Sequence, residues 1–474
     1  MAPTTTERAT TTSTTPPLAA DPFVLGVCAG DPDEQSAVLW TRLVGDLDDE
    51  VHVEWEIAAD EGFTEVTANG TVTAVAADGH SVHVVADLDR PVWYRFRAGG
   101  FTSQVGRAAP TGSPSTLRLA TASCQDWADG YYAAHRDIAE WAPDLVVFLG
   151  DFIYENAAVP VADGRVRAHD GPEPVDLAGY RARYVQYLSD PQLQASRAAC
   201  PWTAIWDDHE VENNYASLTP QDPADAATFA ARRAAAYRAW WEHMPVRLPA
   251  PVDGTDYPIA RSLALGELVD LILLDGRQFR SDQACGDATL ETGPPCPEAL
   301  DPTRTMLGDD QERWVADAFA QPSATWTVLG QQTVLTDLRL PNGAILNHDQ
   351  WDGYTPARDR LLAAASGVDR LVVLTGDIHL AGVASLPGIG TEFVTTSISS
   401  AGSVPVALEP LLRDFPTVVD AELAHRGYIR HTVTPETWTA EYRIVDDVAT
   451  PDSPVSTWRT FRVDASARDL PTAL

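Results

Sequence analysis

The amino-acid sequence predicts an α/β protein that begins with a small β-sandwich of the immunoglobulin or fibronectin type III kind. Two observations lead to this prediction. Within residues 21–107, short segments alternate polar with apolar or aromatic residues and are separated by turn residues. After residue 116, nearly continuous apolar runs are separated by helical stretches, a pattern typical of a largely parallel, buried sheet.

The N-terminal sandwich is predicted from the spacing of its strands and turns. Four segments alternate most clearly: 36–41, 51–56, 70–75 and 93–96. Asp60-Glu61-Gly62 and Asp78-Gly79 are turn signals, and roughly seven short strands in about 90 residues are typical of such a sandwich. The predicted organisation is a disordered Thr-rich tail (1–20), the β-sandwich (21–107), a linker (108–115) and a larger α/β domain (116–474).

The larger domain is predicted from the alternation of buried strands with helices. The apolar runs that indicate strands are 117–122, 145–149, 203–206, 268–274, 326–329 and 371–374. The stretches that indicate helices are 131–141, 227–243 and 309–319. Because these strands lack polar alternation, we expect both of their faces to be covered, in a single largely parallel sheet.

The composition of the chain excludes several classes of function. Among 474 residues, 68 are acidic and 33 basic, for a net charge of −35, and every basic residue is arginine. Without lysine the chain has neither a Schiff-base nucleophile nor a P-loop. So acidic a protein repels nucleic acid and anionic lipid, and no apolar run reaches the roughly 18 residues of a membrane-spanning helix. We expect a soluble monomer that does not bind nucleic acid.

The five cysteines are too few for a disulfide scaffold. Cys285 and Cys296 bracket a loop that a disulfide could close, and we predict this bond if the protein is exported. Cys28 and Cys200 are predicted to be free and buried, with pairing to each other as the alternative. No apolar signal segment is present, so we expect a secreted or periplasmic protein whose export signal has been removed, and a cytoplasmic location stays open.

Polar side chains follow four of the predicted strands. Cys124 follows the first strand, Asp151 and Tyr154 follow the second, the segment 207–210 with Asn213 and Asn214 follows the third, and Asp377 and His379 follow the last. Ligands of open α/β sheets bind beyond the carboxyl ends of the strands, so we expect these segments to converge. Together they offer a thiol, a phenol, carboxylates, amides and imidazoles, which are the donor groups of a metal site.

Each of these features also has a structural interpretation. A Gly-Asp pair after a strand is commonly a turn with a helix cap, and Cys124 or His379 alone could be a core residue. The sequence Asp207-Asp208-His209-Glu210 is harder to explain in this way, because burying those side chains unpaired would cost several kcal/mol. The combination of three polar strand ends therefore favours a metal site.

The segment 117–399 resembles the PhoD-like family of alkaline phosphatases and phosphodiesterases, which have a calcineurin-like metallophosphoesterase fold. The matching stretches are 123–125, 130–132, 149–155, 206–214, 242–245, 349–354, 376–379 and 397–400. Residues 26–32 and 38–42 resemble the β-sandwich that precedes the catalytic domain in that family, where Cys28 stands in place of a small residue. The resemblance implies an α/β sandwich of the calcineurin-like kind in residues 116–474.

The resemblance gives the donor residues specific roles. Asp151 is the expected bridge between two ions, with Cys124, Tyr154 and His379 on one of them. A thiolate and a phenolate favour a trivalent ion, so we predict Fe³⁺ there, and the family resemblance implies iron beside calcium. Oxygen donors of the kind that Ca²⁺ takes would come from Asp208, Asn213 and Asp377. Whether Asp208 or an asparagine of the 213–214 pair completes the calcium site stays open.

The resemblance also implies a mechanism. A hydroxide or oxide held by the metals would attack phosphorus in line, with Asp151 bridging the ions and His209 protonating the leaving alkoxide. Arg232 and Arg233 are the candidates for holding phosphate, and ordinary surface ion pairs are an equally good interpretation of both. Asp275, Arg277 and Arg280 are expected either to support the site or to pair with one another.

The predicted function is metal-dependent hydrolysis of phosphate esters, of the alkaline phosphatase or phosphodiesterase type. Its substrates would be small phosphate esters, phosphodiesters or phospholipid headgroups, the last in a phospholipase D-like reaction that the same centre could perform. A different class of function is a binding module on a degenerate scaffold. A complete set of donor residues at the strand ends argues against that alternative, because a cluster of buried charges is costly to keep.

Overall fold

The computed structural model describes residues 18–161, 165–252, 254, 256–286, 294–467 and 471–474. Residues 1–17 of the predicted tail and the middle of the loop between Cys285 and Cys296 lie outside these ranges. No helix in the described ranges is long and apolar enough to cross a membrane.

Eight strands form the N-terminal part of the chain. They are β1 (Val27–Gly30), β2 (Ser36–Arg42), β3 (Glu50–Ala58), β4 (Val66–Val75), β5 (Ser81–Asp87), β6 (Val92–Ala98), β7 (Phe101–Thr102) and β8 (Gly106–Ala108). A five-stranded sheet has the order β4-β3-β6-β7, with β8 also paired to β6. Its buried residues, such as Val53 and Phe96, pack on Val27, Leu39 and Val82 of β1, β2 and β5. The predicted β-sandwich is therefore present.

One layer of this sandwich continues into a ten-stranded sheet of order β22-β21-β20-β19-β9-β10-β11-β1-β2-β5. Its remaining members are β9 (Leu117–Ala122), β10 (Leu145–Phe148), β11 (Trp202–Ala204), β19 (Arg426–Val433), β20 (Thr437–Val445), β21 (Val455–Asp464) and β22 (Thr472–Ala473). Gly30 of β1 pairs in parallel with Trp202 of β11. A Cβ atom at Gly30 would lie 2.1 Å from the Pro245 carbonyl oxygen, so this close approach requires glycine.

A second sheet of seven strands has the order β12-β13-β14-β15-β17-β16-β18. Its strands are β12 (Arg261–Leu265), β13 (Val269–Leu273), β14 (Trp326–Gln331), β15 (Leu371–Thr375), β16 (Ala381–Leu386), β17 (Gly390–Val394) and β18 (Val418–Glu422). Val328 and Val372 of this sheet share one buried cluster with Val146 and Phe148 of the ten-stranded sheet. The two sheets thus pack face to face, and both faces of each central strand are covered.

The described part of the chain contains seven α-helices. They are α1 (Ala133–Trp141), α2 (Leu177–Leu188), α3 (Pro191–Ala199), α4 (Ala226–His243), α5 (Asp309–Ala320), α6 (Thr355–Ala365) and α7 (Glu409–Arg413). Asp190 caps α3 by accepting hydrogen bonds from the backbone N–H groups of Gln192 and Leu193, and Pro191 occupies the first helical position. Helices α5 and α6 pack on the outer face of the seven-stranded sheet, with Leu329 and Val373 in their shared core.

The predicted strands and helices of the larger domain are present, but the expectation of a single sheet is wrong. The strands near 117–122, 145–149 and 203–206 belong to the ten-stranded sheet, and the later three belong to the seven-stranded one. An apolar run shows that both faces of a strand are buried, but it does not say which strands pair. The architecture is the expected α/β sandwich, with helices outside two packed sheets.

The structure confirms the predictions made for the cysteines. Cys285 and Cys296 form a disulfide. Cys28 and Cys200 are free and buried, as is Cys124.

Candidate metal centre

Four strand ends meet at one edge of the packed sheets. Cys124 follows β9, Asp151 follows β10, the segment 207–209 follows β11, and Asp377 and His379 follow β15. Since β9, β10 and β11 lie in one sheet and β15 in the other, the site is built across the two layers. The packing of the sheets therefore brings together donors that lie far apart in the sequence.

The donor atoms form overlapping groups in which each atom lies within 4.8 Å of the others. One group is Cys124, Asp151 and His379, and Tyr154 Oη joins it at 2.9 Å from Asp151 Oδ2 and 3.1 Å from His379 Nε2. We call Cys124, Tyr154 and His379 the thiol–phenol half of the site.

A second group consists of carboxylates. Asp207, Asp208 and Asp377 lie together, and we call these three residues the carboxylate half. Asp151 joins Asp208 and His209 in a third group, so its carboxylate lies between the two halves. This position is the one that a ligand shared by two ions would need.

The asparagines considered as calcium ligands lie beside the carboxylate half, and their role as ligands stays a prediction. Asn213 donates its side-chain amide to Gln221 Oε1 at 2.9 Å and its backbone N–H to Glu155 at 2.9 Å. Asn214 donates its backbone N–H to Asp208 Oδ2 at 2.6 Å. The pair therefore borders the carboxylate half, with Asn214 holding Asp208 through the main chain.

The backbone of the site is strained. Five non-glycine residues have positive φ angles between 55° and 63°: Cys124, Asp151, Asn214, Asp377 and His379. Each such conformation costs about 1–3 kcal/mol and persists only where its surroundings enforce it. This concentration of strain at the donor residues is typical of a functional site.

Glu210 is one of the residues that enforce this backbone. Its buried carboxylate accepts hydrogen bonds from the amides of Asp151 at 2.9 Å, Phe152 at 2.7 Å and Asp207 at 2.9 Å. It therefore ties the end of β10 to the end of β11. Gly150, which precedes Asp151, has φ 106°, and a Cβ there would lie 2.5 Å from Asp207 Cβ.

The electrostatics of the donor set fit bound cations. Burial raises the pKa of Cys124 and of Tyr154 well above the usual values, and the charge of Asp151 adds to both shifts. Burial also raises the pKa of Asp377 to about 6. Asp207 Oδ2 is buried and has no hydrogen-bond partner among the described residues. Coordination to a metal ion would stabilise the anionic forms of these buried donors.

His209 lies beside Tyr154, with ring centroids 4.1 Å apart. Its Nδ1 is 2.7 Å from Glu155 Oε2. Burial alone would lower the pKa of His209, but the charges of Glu155, Asp151 and Asp208 outweigh it and raise the pKa well above its usual value. The imidazole is thus oriented by a carboxylate and held in its protonated form.

Arg277 and Arg280 were assigned no definite role from the sequence, yet both lie in the site. Arg277 is fully buried and contacts Asp207, Asp208 and Asp377 of the carboxylate half. Arg280 Nη2 lies 2.7 Å from Asp349 Oδ1. A signal was present in the sequence, since Asp275-Gly276-Arg277 follows a predicted strand at the same sheet edge.

Arg232 and Arg233 make ion pairs in the structure. Arg232 contacts Glu212 at 2.7 Å and Glu173 at 2.6 Å, and Arg233 contacts Asp256 at 2.6 Å. Neither belongs to the donor groups described above, and their binding of phosphate stays a prediction.

The two packed sheets place buried donor groups at their common edge, in an arrangement that could hold metal ions. The family model described as PhoD-like phosphatase matches residues 119–442, and the model for the N-terminal domain of that family matches residues 8–111. The chain belongs to the PhoD-like phosphatase family, whose members hydrolyse phosphoric esters.

A known protein and a solved structure are similar to this chain over most of its length. Alkaline phosphatase D of Bacillus subtilis (strain 168) is 38% identical over 478 residues, covering 94% of this chain and 81% of that protein. A solved structure titled "Structure of PhoD" superposes with a TM-score of 0.91 at 37% identity, covering 97% of this chain and 93% of that one. The fold predicted from the sequence is thereby confirmed. The predicted phosphatase activity is supported over the alternative of a binding module.

Proposed function

We propose that this chain hydrolyses phosphate esters at a centre of one Fe³⁺ and one Ca²⁺ shared through Asp151. The observation that carries the proposal is the juxtaposition of unlike donor sets on either side of that carboxylate. Cys124, Tyr154 and His379 would hold the trivalent ion, since thiolate and phenolate donors favour it. Asp208 and Asp377 would hold calcium, which prefers oxygen donors, with Asn213 as a further candidate at its border.

When bound, the two ions supply Lewis acidity toward the phosphate and lower the pKa of a water molecule. The chain's own residues then supply orientation and a proton. Since Glu155 occupies Nδ1 of His209, the other ring nitrogen is left for the substrate. His209 is in our proposal the acid that protonates the leaving oxygen of the ester, and stacking on Tyr154 fixes the plane of its ring.

The relative named alkaline phosphatase D supports activity on phosphate esters for this chain too, and both monoesters and diesters are proposed substrates. We also propose a location outside the cytoplasm. The disulfide between Cys285 and Cys296 supports this location, because such bonds persist in oxidising compartments.

The test of the proposed proton donor uses two substrates that differ only in their leaving group. His209→Ala should slow hydrolysis of an alkyl phosphodiester by about 10²–10⁴-fold, because an alkoxide leaves poorly without a proton. The same variant should keep much more activity on a nitrophenyl ester, whose leaving group needs none. Equal losses on both substrates would refute the proposed role and leave His209 as an orienting residue.

A further inference from the structure

Arg277 is surrounded by carboxylates. Its Nη2 lies 2.7 Å from Asp377 Oδ1 and 3.6 Å from Asp208 Oδ1, its Nε contacts Asp207, and its Nη1 lies 2.9 Å from Asp349 Oδ1. Three of these four carboxylates are the carboxylate half itself. The guanidinium therefore occupies the place where the mutual repulsion of these groups is greatest.

Hydrogen bonds of the backbone fix the position of Arg277. Its backbone N–H donates to Asp275 Oδ1 at 3.0 Å, and the Asp275 N–H donates to Gln311 Oε1 at 2.8 Å. The side chain is 0% exposed, and its ion pairs hold it against the carboxylates. Arg277 is thus a buried neighbour of the carboxylate half.

The carboxylates of this network outnumber its guanidiniums. Four carboxylates (Asp207, Asp208, Asp349 and Asp377) face two guanidiniums, those of Arg277 and Arg280. The two arginines therefore offset part of the negative charge, and the excess of carboxylates still favours a bound cation.

The carboxylates are also held in a way that leaves room for that ion. Arg277 holds Asp377 through Oδ1, and Gln350 Nε2 donates to Oδ2 at 2.5 Å. Asn214 N–H holds Asp208 through Oδ2 at 2.6 Å. Each carboxylate oxygen has more than one lone pair, so these contacts orient the group and still leave it able to bind a cation. In the described part of the chain, no guanidinium donates a hydrogen bond to Cys124 Sγ or Tyr154 Oη in the thiol–phenol half.

We propose that Arg277 is a resident cation that keeps the carboxylate half folded before its divalent ion binds. It is a positioning residue, and its function rests on the calcium site proposed above. Without it, Asp207, Asp208 and Asp377 would face one another uncompensated in a buried site. The loss of folding stability would therefore be larger in the metal-free protein than in the calcium-loaded protein. In the calcium-loaded protein the bound ion replaces much of the missing charge.

The experiment compares the melting temperatures of metal-stripped and calcium-reconstituted protein. Arg277→Met removes the charge and keeps the length of the side chain. We expect its melting temperature to fall far more without calcium than with it, so that the shift produced by calcium becomes about twofold larger than in the wild type. Arg277→Lys keeps the charge and should show a smaller enlargement of that shift.

Arg197→Met is the matched control. Arg197 is also a buried arginine, but it donates to the His243 carbonyl oxygen at 2.9 Å and lies over the Trp40 ring, away from the donor groups. Its loss should lower both melting temperatures equally and leave the calcium shift at the wild-type value. This control separates the loss of a buried arginine from the loss of charge at the site.

Each outcome decides between the proposals. Equal losses with and without calcium for both Arg277 variants, while the wild type responds to calcium, would overturn the role of Arg277 alone. A wild-type protein whose melting temperature does not respond to calcium would overturn the calcium site and this inference together. If Arg277→Met folds only when calcium is present throughout purification, that result supports the proposal. If Arg277→Met folds under neither condition, Arg277→Lys decides. A calcium shift larger than that of the wild type supports the proposal, and an unchanged shift overturns it.

Discussion

The two halves of the candidate centre keep buried donors in different ways. In the thiol–phenol half, burial raises the pKa of Cys124 and of Tyr154, so both groups are neutral. In the carboxylate half, burial would raise the pKa of Asp208 too, but Arg277, together with His209, Arg280 and the Asn214 N–H, outweighs burial and holds that pKa below its usual value. Burial raises the pKa of Asp207 and of Asp377 in the same half. Protons thus neutralise the donors of one half, whereas neighbouring positive charge keeps Asp208 ionised in the other.

This difference has a consequence for the order in which the halves can be filled. Cation binding at the thiol–phenol half requires the loss of protons from Cys124 and Tyr154, since only the anions are strong ligands. Asp208 is already ionised and needs no such loss, whereas the pKa of Asp207 and of Asp377 is raised. Two adjacent sites on one scaffold can therefore differ in the conditions under which they bind a cation.

The largest expected effect comes from the residue that both halves share. Asp151→Asn should abolish hydrolysis of both an alkyl and a nitrophenyl ester, because the bridging carboxylate is lost from either half at once. The amide has nearly the shape of the carboxylate and can still accept the hydrogen bond from Tyr154 Oη, so the fold should survive. Steady-state kinetics with the circular dichroism spectrum as control measure this. Full activity of Asp151→Asn on either ester would show that the two halves work without a common ligand, which would contradict the bridging role of Asp151.

A smaller effect is expected from a change confined to the thiol–phenol half. Tyr154→Phe removes the phenolate that favours Fe³⁺, so the visible absorption band of the iron protein and its activity should fall together, by at least about tenfold. Tyr184→Phe is the control, because Tyr184 is buried and its hydroxyl has no hydrogen-bond partner among the described residues. That variant should keep both the colour and the rate. Stoichiometric zinc without iron in elemental analysis would contradict the assignment of this half.

Much of the fold was predictable from the sequence because the central strands are covered on both faces. Val146 and Val372 lie in strands whose every residue is buried, and such strands leave an apolar run that a sequence shows directly. The donor residues were predictable for a related reason. Polar side chains such as Asp151 and Asp377 stand out where an apolar run ends.

The pairing of distant elements could not be predicted in the same way. The division of the strands into two sheets depends on which edges meet, and no local pattern encodes that choice. The contacts of Arg277 with Asp207 and Asp377 join residues 70 and 100 positions apart, so they exist only once both sheets have packed. For the same reason, the partners of Arg232 could not be distinguished in advance from a phosphate ligand.

The smallest expected effect concerns the arginines predicted to hold phosphate. All three nitrogens of Arg232 are engaged, with Tyr180, Glu212 and Glu173. Arg233 pairs with Asp256, whose side chain is 56% exposed, and also donates to the carbonyl oxygens of Ser217 and Gln278. A phosphate contact of Arg233 would contribute about 1 kcal/mol, or about a fivefold rise in KM for Arg233→Gln, with kcat little changed.

Arg232→Gln should raise KM less than Arg233→Gln does and should lower the melting temperature more, because its loss leaves the buried carboxylate of Glu212 without its cation. Parallel measurements of KM and melting temperature on the two variants show whether each arginine binds phosphate or stabilises the fold. An unchanged KM in both would show that these arginines only pair with carboxylates. The positive charge facing the substrate would then come from the metal ions and from His209, so phosphate would be recognised at the metal centre itself.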